Sequence, residues 1–344
     1  MKLEKKLIAL IFFSIVIGML VILPLAFLMK PPIRHIRYSI NPITIKINDQ
    51  INIENFPIQR SGNVYTLTKY TEAEIIVEKN NIIIDGGHYL LNSTTFYGIK
   101  VIGRNNVTIQ NFNINSSLGG YAIYLQNSSN IIIKDNNITS GNTGIFIEGE
   151  HGKTENNTII GNSLTSTLVD SIFLMASSNN LIKGNFINDC KGKAIDIFSQ
   201  STDNLVENNY IFNSTFGVWV FQSSNNTIKN NIVLENGDGI RIMACMYNTV
   251  KNNFIQNNRI GIIIDAGRGE YVSNNYIVNN SFINNNQQVY SILDAINIWD
   301  INGEGNYWSD YSGEDKNLDG IGDTPYILNE NNKDSHPIID IVSD

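Results

Sequence analysis

The amino-acid sequence predicts an all-β protein, a right-handed parallel β-helix (solenoid) with three faces, preceded by one N-terminal transmembrane helix. Three observations support this fold class. An asparagine-rich phrase recurs every 22 to 27 residues, each copy contains short runs of alternating apolar and polar residues, and a long apolar segment lies near the N-terminus. A fixed period in the low twenties is typical of a solenoid, in which successive coils stack on one another.

The apolar segment covers residues 7–29 and is long enough to cross about 30 Å of hydrocarbon. Lys2, Lys5 and Lys6 precede it, and it lacks the short core and small-residue cleavage site of a signal peptide. We therefore expect an uncleaved signal anchor, with residues 1–6 as a cytoplasmic tip and 30–41 as a linker. The predicted location is the cell membrane, with a single span and the β-helix domain outside the cell.

Residues 42–80 contain strand-like runs at Ile43–Ile47, Val64–Leu67 and Glu74–Val77, but they lack the asparagine phrase. Terminal repeats of solenoids are atypical because they cover the open end of the core. The sequence thus predicts an N-terminal cap and first strands over 42–80. The β-helix repeats follow over 81–298, and a C-terminal cap covers 299–344.

One repeat contains three alternating runs, as in Thr227–Lys229, Asn231–Val233 and Gly239–Ile242. Alternation with period two predicts strands, and the Asn, Gly and Ser clusters between runs predict turns. The inward positions are mostly Ile and Val, whereas a leucine-rich repeat needs a lattice of Leu. Three short strands per coil therefore favour a three-faced β-helix.

Asparagine recurs at two positions in each coil. Because Asn tolerates left-handed backbone angles and bonds nearby backbone groups, it suits the corner between two strands. Stacked about 4.8 Å apart, such side chains can form a hydrogen-bonded ladder. We assign them a structural role and no chemistry. The first position comprises Asn106, Asn130, Asn157, Asn180, Asn204, Asn226 and Asn248, and the second Asn111, Asp135, Asn162, Asn185, Asn209, Asn231, Asn253 and Asn275.

The composition restricts the partners. Charged residues make up 16% of the chain and the formal net charge is −8, which argues against nucleic acid, because phosphate binding needs clustered Lys and Arg. Cys190 and Cys245 lie two coils apart at different positions of their coils, so we expect no disulfide between them. The sequence leaves the oligomeric state open.

The C-terminal composition changes abruptly, to GNYWSDY at Gly305–Tyr311 and DKNLDGIGDTPY at Asp315–Tyr326. With IIIDGGHYL at Ile82–Leu90 and the repeats between, this segment resembles the NosD-like family of parallel β-helix proteins. The resemblance covers the chain from about residue 60 to the end. It implies a right-handed β-helix related to carbohydrate-binding and sugar-hydrolase (CASH) domains, in a layout that several archaeal surface proteins share.

The C-terminal segment also contains a candidate cation loop. Oxygen side chains occupy loop positions 1, 3, 5 and 9, a glycine occupies position 6, and a backbone carbonyl serves position 7, which is the spacing that wraps calcium. Tyr326 replaces the bidentate Glu of position 12. The alternative is an acidic loop that only closes the solenoid, with Tyr307, Trp308 and Tyr311 as an apolar plug. The predicted ligands are Asp315, Asn317, Asp319, Ile321 and Asp323.

Outward residues of the third strand in each coil form two candidate binding columns. Contiguous aromatic rings beside charged groups suit contacts with sugar rings and hydroxyls. The alternative is that a loop, the N-terminal cap or a partner subunit covers this face. One column contains Tyr124, Phe146, Phe173, Asp196, Trp219, Arg241 and Ile263; the other contains Gln126, Glu148, Met175, Phe198, Phe221, Met243 and Asp265. From these, the predicted ligand-binding residues are Tyr124, Phe146, Phe173, Asp196, Phe198, Trp219, Phe221 and Arg241.

Two further functions depend on other residue types. Asp170, Asp196 and Asp238 lie near the same strand and are candidates for glycosidase or lyase chemistry, but the paired-Asp signature of polygalacturonases is absent and no catalytic residue is assigned. Copper would need soft ligands. The available soft ligands are Met175, Met243, Cys245 and Met246, and we do not expect copper binding.

The sequence therefore predicts a membrane-anchored surface protein that binds glycans or acts as a scaffold. A copper-handling accessory protein and a polysaccharide hydrolase or lyase are the alternatives.

Overall fold

The computed structural model describes residues 43–48, 56–93, 95–116, 119–139, 141–149, 154–267, 271–292 and 295–339 of the 344-residue chain. Within these ranges the chain forms 34 β-strands and no helix. Accordingly, none of the described residues belongs to a helix that could cross a membrane. The predicted anchor at 7–29 lies outside the described residues and stays a prediction.

The strands form a parallel β-solenoid of about ten coils, in which each coil contributes one strand to each of three sheets. This architecture confirms the predicted all-β, three-faced solenoid. We call the sheets first, second and third after the order of their strands within a coil, and we number the strands in chain order. Two antiparallel pairs depart from the parallel pattern, β2 with β3 and β33 with β34, and β4 pairs with both β6 and β7.

The first sheet contains β2 (Ile58–Ser61), β3 (Val64–Leu67), β5 (Ile82–Asp85), β8 (Val107–Gln110), β11 (Ile132–Lys134), β14 (Thr158–Ile160), β17 (Leu181–Lys183), β20 (Leu205–Glu207), β23 (Thr227–Lys229), β26 (Thr249–Lys251) and β29 (Tyr276–Val278). The second sheet contains β6 (Leu90–Ser93), β9 (Asn113–Ser116), β12 (Asn137–Thr139), β15 (Ser163–Thr165), β18 (Phe186–Asn188), β21 (Tyr210–Phe212), β24 (Ile232–Leu234), β27 (Phe254–Gln256), β30 (Ser281–Ile283) and β32 (Tyr307–Trp308). The third sheet contains β1 (Ile43–Ile47), β4 (Thr71–Val77), β7 (Tyr97–Ile102), β10 (Tyr121–Gln126), β13 (Thr143–Glu148), β16 (Asp170–Met175), β19 (Lys193–Phe198), β22 (Phe216–Phe221), β25 (Asp238–Met243), β28 (Ile260–Asp265) and β31 (Gln287–Ser291). The final hairpin contains β33 (Tyr326–Asn329) and β34 (Asn332–Asp334).

The core is a column of aliphatic side chains inside the three sheets. In one coil, Ile228, Val233, Ile240 and Ile242 supply the inward residues of the three strands, and all four are fully buried. Burial of each such side chain contributes about 1.5–3 kcal/mol. The same pattern repeats in each coil, so the core extends without interruption along the solenoid.

Each corner uses two residues rather than the single asparagine that the sequence suggests. At the corner between β23 and β24, the exposed Asn230 adopts a left-handed conformation (φ 55°), and the buried Asn231 follows it. The prediction that the ladder residues themselves take left-handed angles holds for Asn106, Asn111, Asn130 and Asp135 and is wrong from Asn157 onward. The exposed residue makes the turn, and the buried one satisfies the backbone.

The buried asparagines form the predicted ladders, except that Asn275, predicted for the second position, accepts from Asn248 and continues the first ladder. The backbone N–H and the side-chain amide of Asn209 both donate to Oδ1 of Asn231, at 2.9 and 3.0 Å. Asn231 makes the same two bonds to Asn253. A third ladder, through Ser214 and Asn236, occupies the corner before the third sheet and was not predicted.

A hairpin of the C-terminal cap ends two of these ladders. In the first, Asn297 donates its backbone N–H to Oδ1 of Asn332 at 3.0 Å. In the second, Asn306 donates to Oδ2 of Asp334 at 2.6 Å. The buried Trp308 ring covers the end of the core and stacks on Tyr326 at 4.3 Å between centroids.

Candidate functional site

The outer face of the third sheet presents three columns of side chains, at the first, fourth and sixth positions of its strands. The two predicted columns are the fourth and sixth positions, and they lie in register. Along the fourth position, Phe173 pairs with Asp196, Asp196 with Trp219, and Trp219 with Arg241. The first position forms a third column, in which Asp170, Lys193, Phe216 and Asp238 follow one another.

The column at the first strand position was not predicted, because the alternation of inward and outward residues breaks within these strands. The second residue of each strand turns inward toward the second sheet, next to the inward third residue. From β7 to β28 this position holds Gly, Ala or Ser. The corner is tight at Gly239, where a Cβ would lie 2.5 Å from the carbonyl oxygen of Gly261. The recurring small residue, seen at Gly217, Gly239 and Gly261, is the signal in the sequence that marks this bend.

The N-terminal end of this face is an aromatic cluster. Tyr124 and Phe146, two of the predicted ligand-binding residues, are each only 6% exposed. Phe146 stacks face to face on Phe173, with 4.6 Å between ring centroids, and contacts Tyr121 edge to face at 5.1 Å. These rings mainly contact one another, and one face of the Phe173 ring is covered by Phe146.

The middle of the face is a buried ionic network. The Lys193 ammonium lies 2.8 Å from Oδ2 of Asp196 and 3.4 Å from Oδ1 of Asp170. Burial raises the pKa of Asp196 to about 7, although Lys193 opposes the shift. Burial also raises the pKa of Asp170. Burial lowers the pKa of Lys193, but the two carboxylates outweigh it and the net change is upward.

Trp219 lies between two cations. The Lys193 ammonium is 5.4 Å from its ring centroid and the Arg241 guanidinium carbon is 4.6 Å from it. A cation over an indole face is a favourable electrostatic contact. Because these contacts use the ring faces, Trp219 offers a ligand mainly its edge together with the two flanking cations.

A second carboxylate group lies beside Arg241. The Arg241 guanidinium is 3.6 Å from Oδ2 of Asp238 and 3.7 Å from Oδ2 of Asp265. Arg259 forms a short ion pair with Oδ1 of Asp238. We refer to Asp170, Lys193, Asp196, Trp219, Asp238 and Arg241 together as the Trp219 site.

Three buried polar atoms of the Trp219 site lack hydrogen-bond partners within the described part of the chain. They are Oδ1 of Asp196, Oδ2 of Asp238 and Nε of Arg241. An unsatisfied buried polar atom costs about 1–3 kcal/mol. Asp238 and Arg241 lie in one coil and Asp196 two coils earlier, so an extended ligand that both donates and accepts hydrogen bonds fits these two acceptors and one donor.

The sixth-position column contributes further aromatic surface. Phe198 and Phe221, both predicted ligand-binding residues, stack at 5.4 Å between centroids. Both side chains are partly exposed. They extend the apolar surface that borders the Trp219 site.

The soft-ligand candidates do not converge. The strand ends at Met243, Ala244 adopts a left-handed conformation (φ 56°), and Cys245 then points into the core. Burial raises the pKa of the Cys245 thiol to about 12, so it is not a thiolate at neutral pH. Met175 lies three coils away from Met243 along the sixth-position column, about 14 Å at strand spacing.

The candidate calcium loop is held by its own backbone. Asp315 accepts hydrogen bonds from the N–H groups of Asp319 and Gly320 at 3.2 and 2.9 Å, and Asp323 accepts one from Lys316 at 2.7 Å. No group of three His, Cys, Asp or Glu side chains in the described ranges is close enough to hold a metal ion. Cation binding would therefore require these carboxylates to move together.

Comparison with solved structures finds several sugar-active β-helix proteins. The periplasmic alginate epimerase AlgG is 14% identical, with a TM-score of 0.45 and coverage of 73% of this chain and 84% of AlgG. A mutant tailspike protein of E. coli bacteriophage HK620, solved with a pentasaccharide, is 9% identical, with a TM-score of 0.48 and coverage of 78% of this chain and 60% of the tailspike.

Sequence comparison finds two family models that match parts of the chain. A model described as periplasmic copper-binding protein (NosD) matches residues 154–313, and one described as right handed beta helix region matches 79–214. Proteins named probable ABC transporter binding protein NosD, from Stutzerimonas stutzeri and Pseudomonas aeruginosa, are each 47% identical over 51 residues. The aligned part is 15% of this chain and 12% of the length of these relatives. These matches confirm the resemblance seen in the sequence: parts of the chain are similar to NosD and to right-handed β-helix proteins.

Proposed function

We propose that this chain is a membrane-anchored surface protein that binds a glycan at the Trp219 site. The observation that supports this function best is the set of buried atoms on Asp196, Asp238 and Arg241 that lack hydrogen-bond partners in the described part of the chain. A sugar hydroxyl can donate to a carboxylate and accept from a guanidinium N–H, so hydroxyl groups match this set. The exposed edge of Trp219 supplies the adjoining apolar contact.

The shape of the third sheet also favours an extended ligand. Its strands stack about 4.8 Å apart, so successive coils present similar side chains along a line. Solenoids use such surfaces to bind long partners. Phe198 and Phe221 lie beside the Trp219 site and would contact neighbouring units of the same polymer.

A location outside the cytoplasm agrees with the family, whose description is periplasmic. The proposed anchor is the apolar segment at 7–29. The single span would hold the β-helix close to polymers of the cell surface.

The test is a titration of the full chain with a panel of polysaccharides, followed by calorimetry and by tryptophan emission. Trp299 and Trp308 are buried in the C-terminal cap, so a change in emission on binding is expected from Trp219. We expect saturable binding to one polymer class and its loss in Trp219→Ala. Phe254→Ala, which removes a partly exposed ring from the outer face of the second sheet, is the matched control.

Saturable binding that Trp219→Ala leaves unchanged would refute this location for the site. Absence of binding to every polymer would refute glycan recognition. Assaying the same mixtures for new reducing or unsaturated ends separates binding from cleavage, and Asp196→Asn identifies whether any cleavage depends on this site.

We also propose that the loop at 315–323 binds calcium and thereby stabilises the cap. The arrangement that supports this is the pair of N–H bonds from positions 5 and 6 to the carboxylate of position 1, Asp315. These bonds already fold the loop around the place where a cation would lie. The cation would draw in the carboxylates of Asp319 and Asp323.

A further inference from the structure

We infer that the Trp219 site selects uncharged sugar units and discriminates against uronates, the sugar units that carry a carboxylate. This inference rests on the proposed glycan binding and specifies the chemical class of the ligand. It depends on how the charges of the site are already paired.

Within the part of the chain that the structure describes, each cation near the site has a carboxylate partner. Lys193 is paired with Asp170 and Asp196, and Arg241 with Asp238 and Asp265. Arg259 also pairs with Asp238, which it shares with Arg241. A ligand carboxylate would therefore have to displace an internal carboxylate rather than meet an open cation.

The formal charges around the site also disfavour an anion. Four carboxylates (Asp170, Asp196, Asp238 and Asp265) face three cations (Lys193, Arg241 and Arg259), a sum of −1 when all are ionised and of 0 when Asp196 is protonated. The whole chain carries a formal charge of −8. The field of the protein therefore repels an anionic polymer, and like charges placed together weaken binding.

The atoms without partners require hydroxyl groups instead. Two of the three are carboxylate oxygens, Oδ1 of Asp196 and Oδ2 of Asp238, which only accept hydrogen bonds when ionised. A ligand carboxylate cannot donate to them, whereas a hydroxyl can. The third atom, Nε of Arg241, needs an acceptor, and a neighbouring hydroxyl serves this role as well.

The positions of these atoms set the size of the ligand. Asp196 and Arg241 occupy the same column two strands apart, about 9.6 Å along the solenoid axis. The partly exposed Lys193, Trp219 and Arg241 lie over the carboxylates. A polymer that contacts these three side chains reaches the carboxylates when the flexible Lys193 or Arg241 shifts, and it spans both ends of the site.

The experiment compares two forms of one polymer that differ only in charge. The neutral polysaccharide that binds best is oxidised at its primary hydroxyl groups to carboxylates, and both forms are titrated against the full chain at the same ionic strength. We expect the oxidised form to bind about tenfold more weakly or worse at low salt. High salt should reduce the difference, since salt screens exposed charges.

Asp265→Asn provides a gain-of-function arm, because it frees one edge of the Arg241 guanidinium without altering the unpartnered atoms. We expect this variant to bind the oxidised form better relative to the neutral form. The matched control is Asp189→Asn, which removes a charge whose partner, Lys191, lies outside the Trp219 site.

The outcomes separate the two proposals. Equal or tighter binding of the oxidised form, lost in Trp219→Ala, would overturn the selectivity and leave glycan binding at this site intact. Preference for a natural uronate polymer with the same Trp219 dependence would also overturn the selectivity. Absence of binding to every polymer would overturn both.

Discussion

Replacing Asn231 by Ala should remove a large part of the stability of the solenoid. The side chain is fully buried in the ladder between the first and second sheets. Its amide donates to the carbonyl oxygens of Val206 and Lys229 and to Oδ1 of Asn253, each at 3.0 Å. Its Oδ1 accepts two bonds from Asn209, at 2.9 and 3.0 Å.

The substitution therefore deletes these five contacts, in which the two amide hydrogens serve three acceptors, and leaves the buried backbone N–H of Asn209 without a partner. A net value of about 1 kcal/mol for each bond gives a loss of about 3–5 kcal/mol in the free energy of unfolding. The lower end applies because the Asn209 amide keeps its bonds to the carbonyl oxygens of Ile182 and Glu207. The loss should concentrate in the adjacent coils, because each coil of a solenoid contacts only its neighbours.

Urea unfolding followed by far-ultraviolet circular dichroism measures the change, and amide hydrogen exchange locates it. Asn230→Gly is the matched control, because Asn230 is exposed and its left-handed angle suits glycine. We expect this variant to stay within about 0.5 kcal/mol of the original chain. Equal stabilities for Asn231→Ala and the original chain would refute the reasoning that the ladder satisfies buried backbone.

Three further predictions follow from the fold, the ionic network and the cap. Gly239→Ala should lower the free energy of unfolding by about 1–3 kcal/mol in the same urea assay, because its Cβ would meet the Gly261 carbonyl at 2.5 Å; an unchanged midpoint would contradict the tight corner. Burial raises the pKa of Asp196 to about 7, so the folded state holds this proton more tightly than the unfolded state. The resulting contribution to the free energy of unfolding is at most about 4 kcal/mol. It is complete below about pH 4 and is lost as the pH rises through 7. Asp196→Asn should flatten this part of the stability profile, whereas a slope equal to that of the original chain would assign it to other groups. Removal of calcium by a chelator should lower the melting temperature, because calcium at a hundred times its Kd adds about 2.7 kcal/mol to the free energy of unfolding. Asp315→Ala should abolish this response. A chelator effect that survives in Asp315→Ala would place the ion elsewhere.

The repeat period and the alternation of residues made most of the fold predictable. Ile240 and Ile242 alternate with Arg241, and the same pattern one coil earlier surrounds Trp219, so the strand and its outer column follow from the sequence. The second ladder position was predicted for Asn162 through Asn253. In the first two coils the predicted residue lies one place before the buried ladder position, so Asn111 and Asp135 themselves adopt the left-handed conformation.

The candidate site was only partly predictable, because the sequence does not reveal which outward groups pair with one another. Asp196, Trp219 and Arg241 fall in one column by simple counting. Lys193 and Asp238 join them only because the strand bends at its second residue, which breaks the alternation. Both cations contact the Trp219 ring and cover its faces. These contacts depend on side-chain conformations that sequence spacing does not determine.

The sequence pattern also left Cys245 undecided. Counting outward from Met243 places Cys245 on the surface if the strand continues. The left-handed Ala244 ends the strand and turns Cys245 into the core. A single non-glycine residue in this conformation gives too weak a sequence signal for the turn to be expected.

The hairpin at the C-terminal end has a consequence for the solubility of the protein. A β-helix without a cap ends in a rung of unpaired N–H and C=O groups, a template on which a second molecule can add its own first rung. Asn332 and Asp334 saturate the last ladder groups, and Trp308 with Tyr326 covers the apolar interior. Removal of the hairpin would expose this end to pairing with a second molecule, and copies of the chain could then join end to end into fibres. The cap thus keeps a repetitive molecule at a finite length.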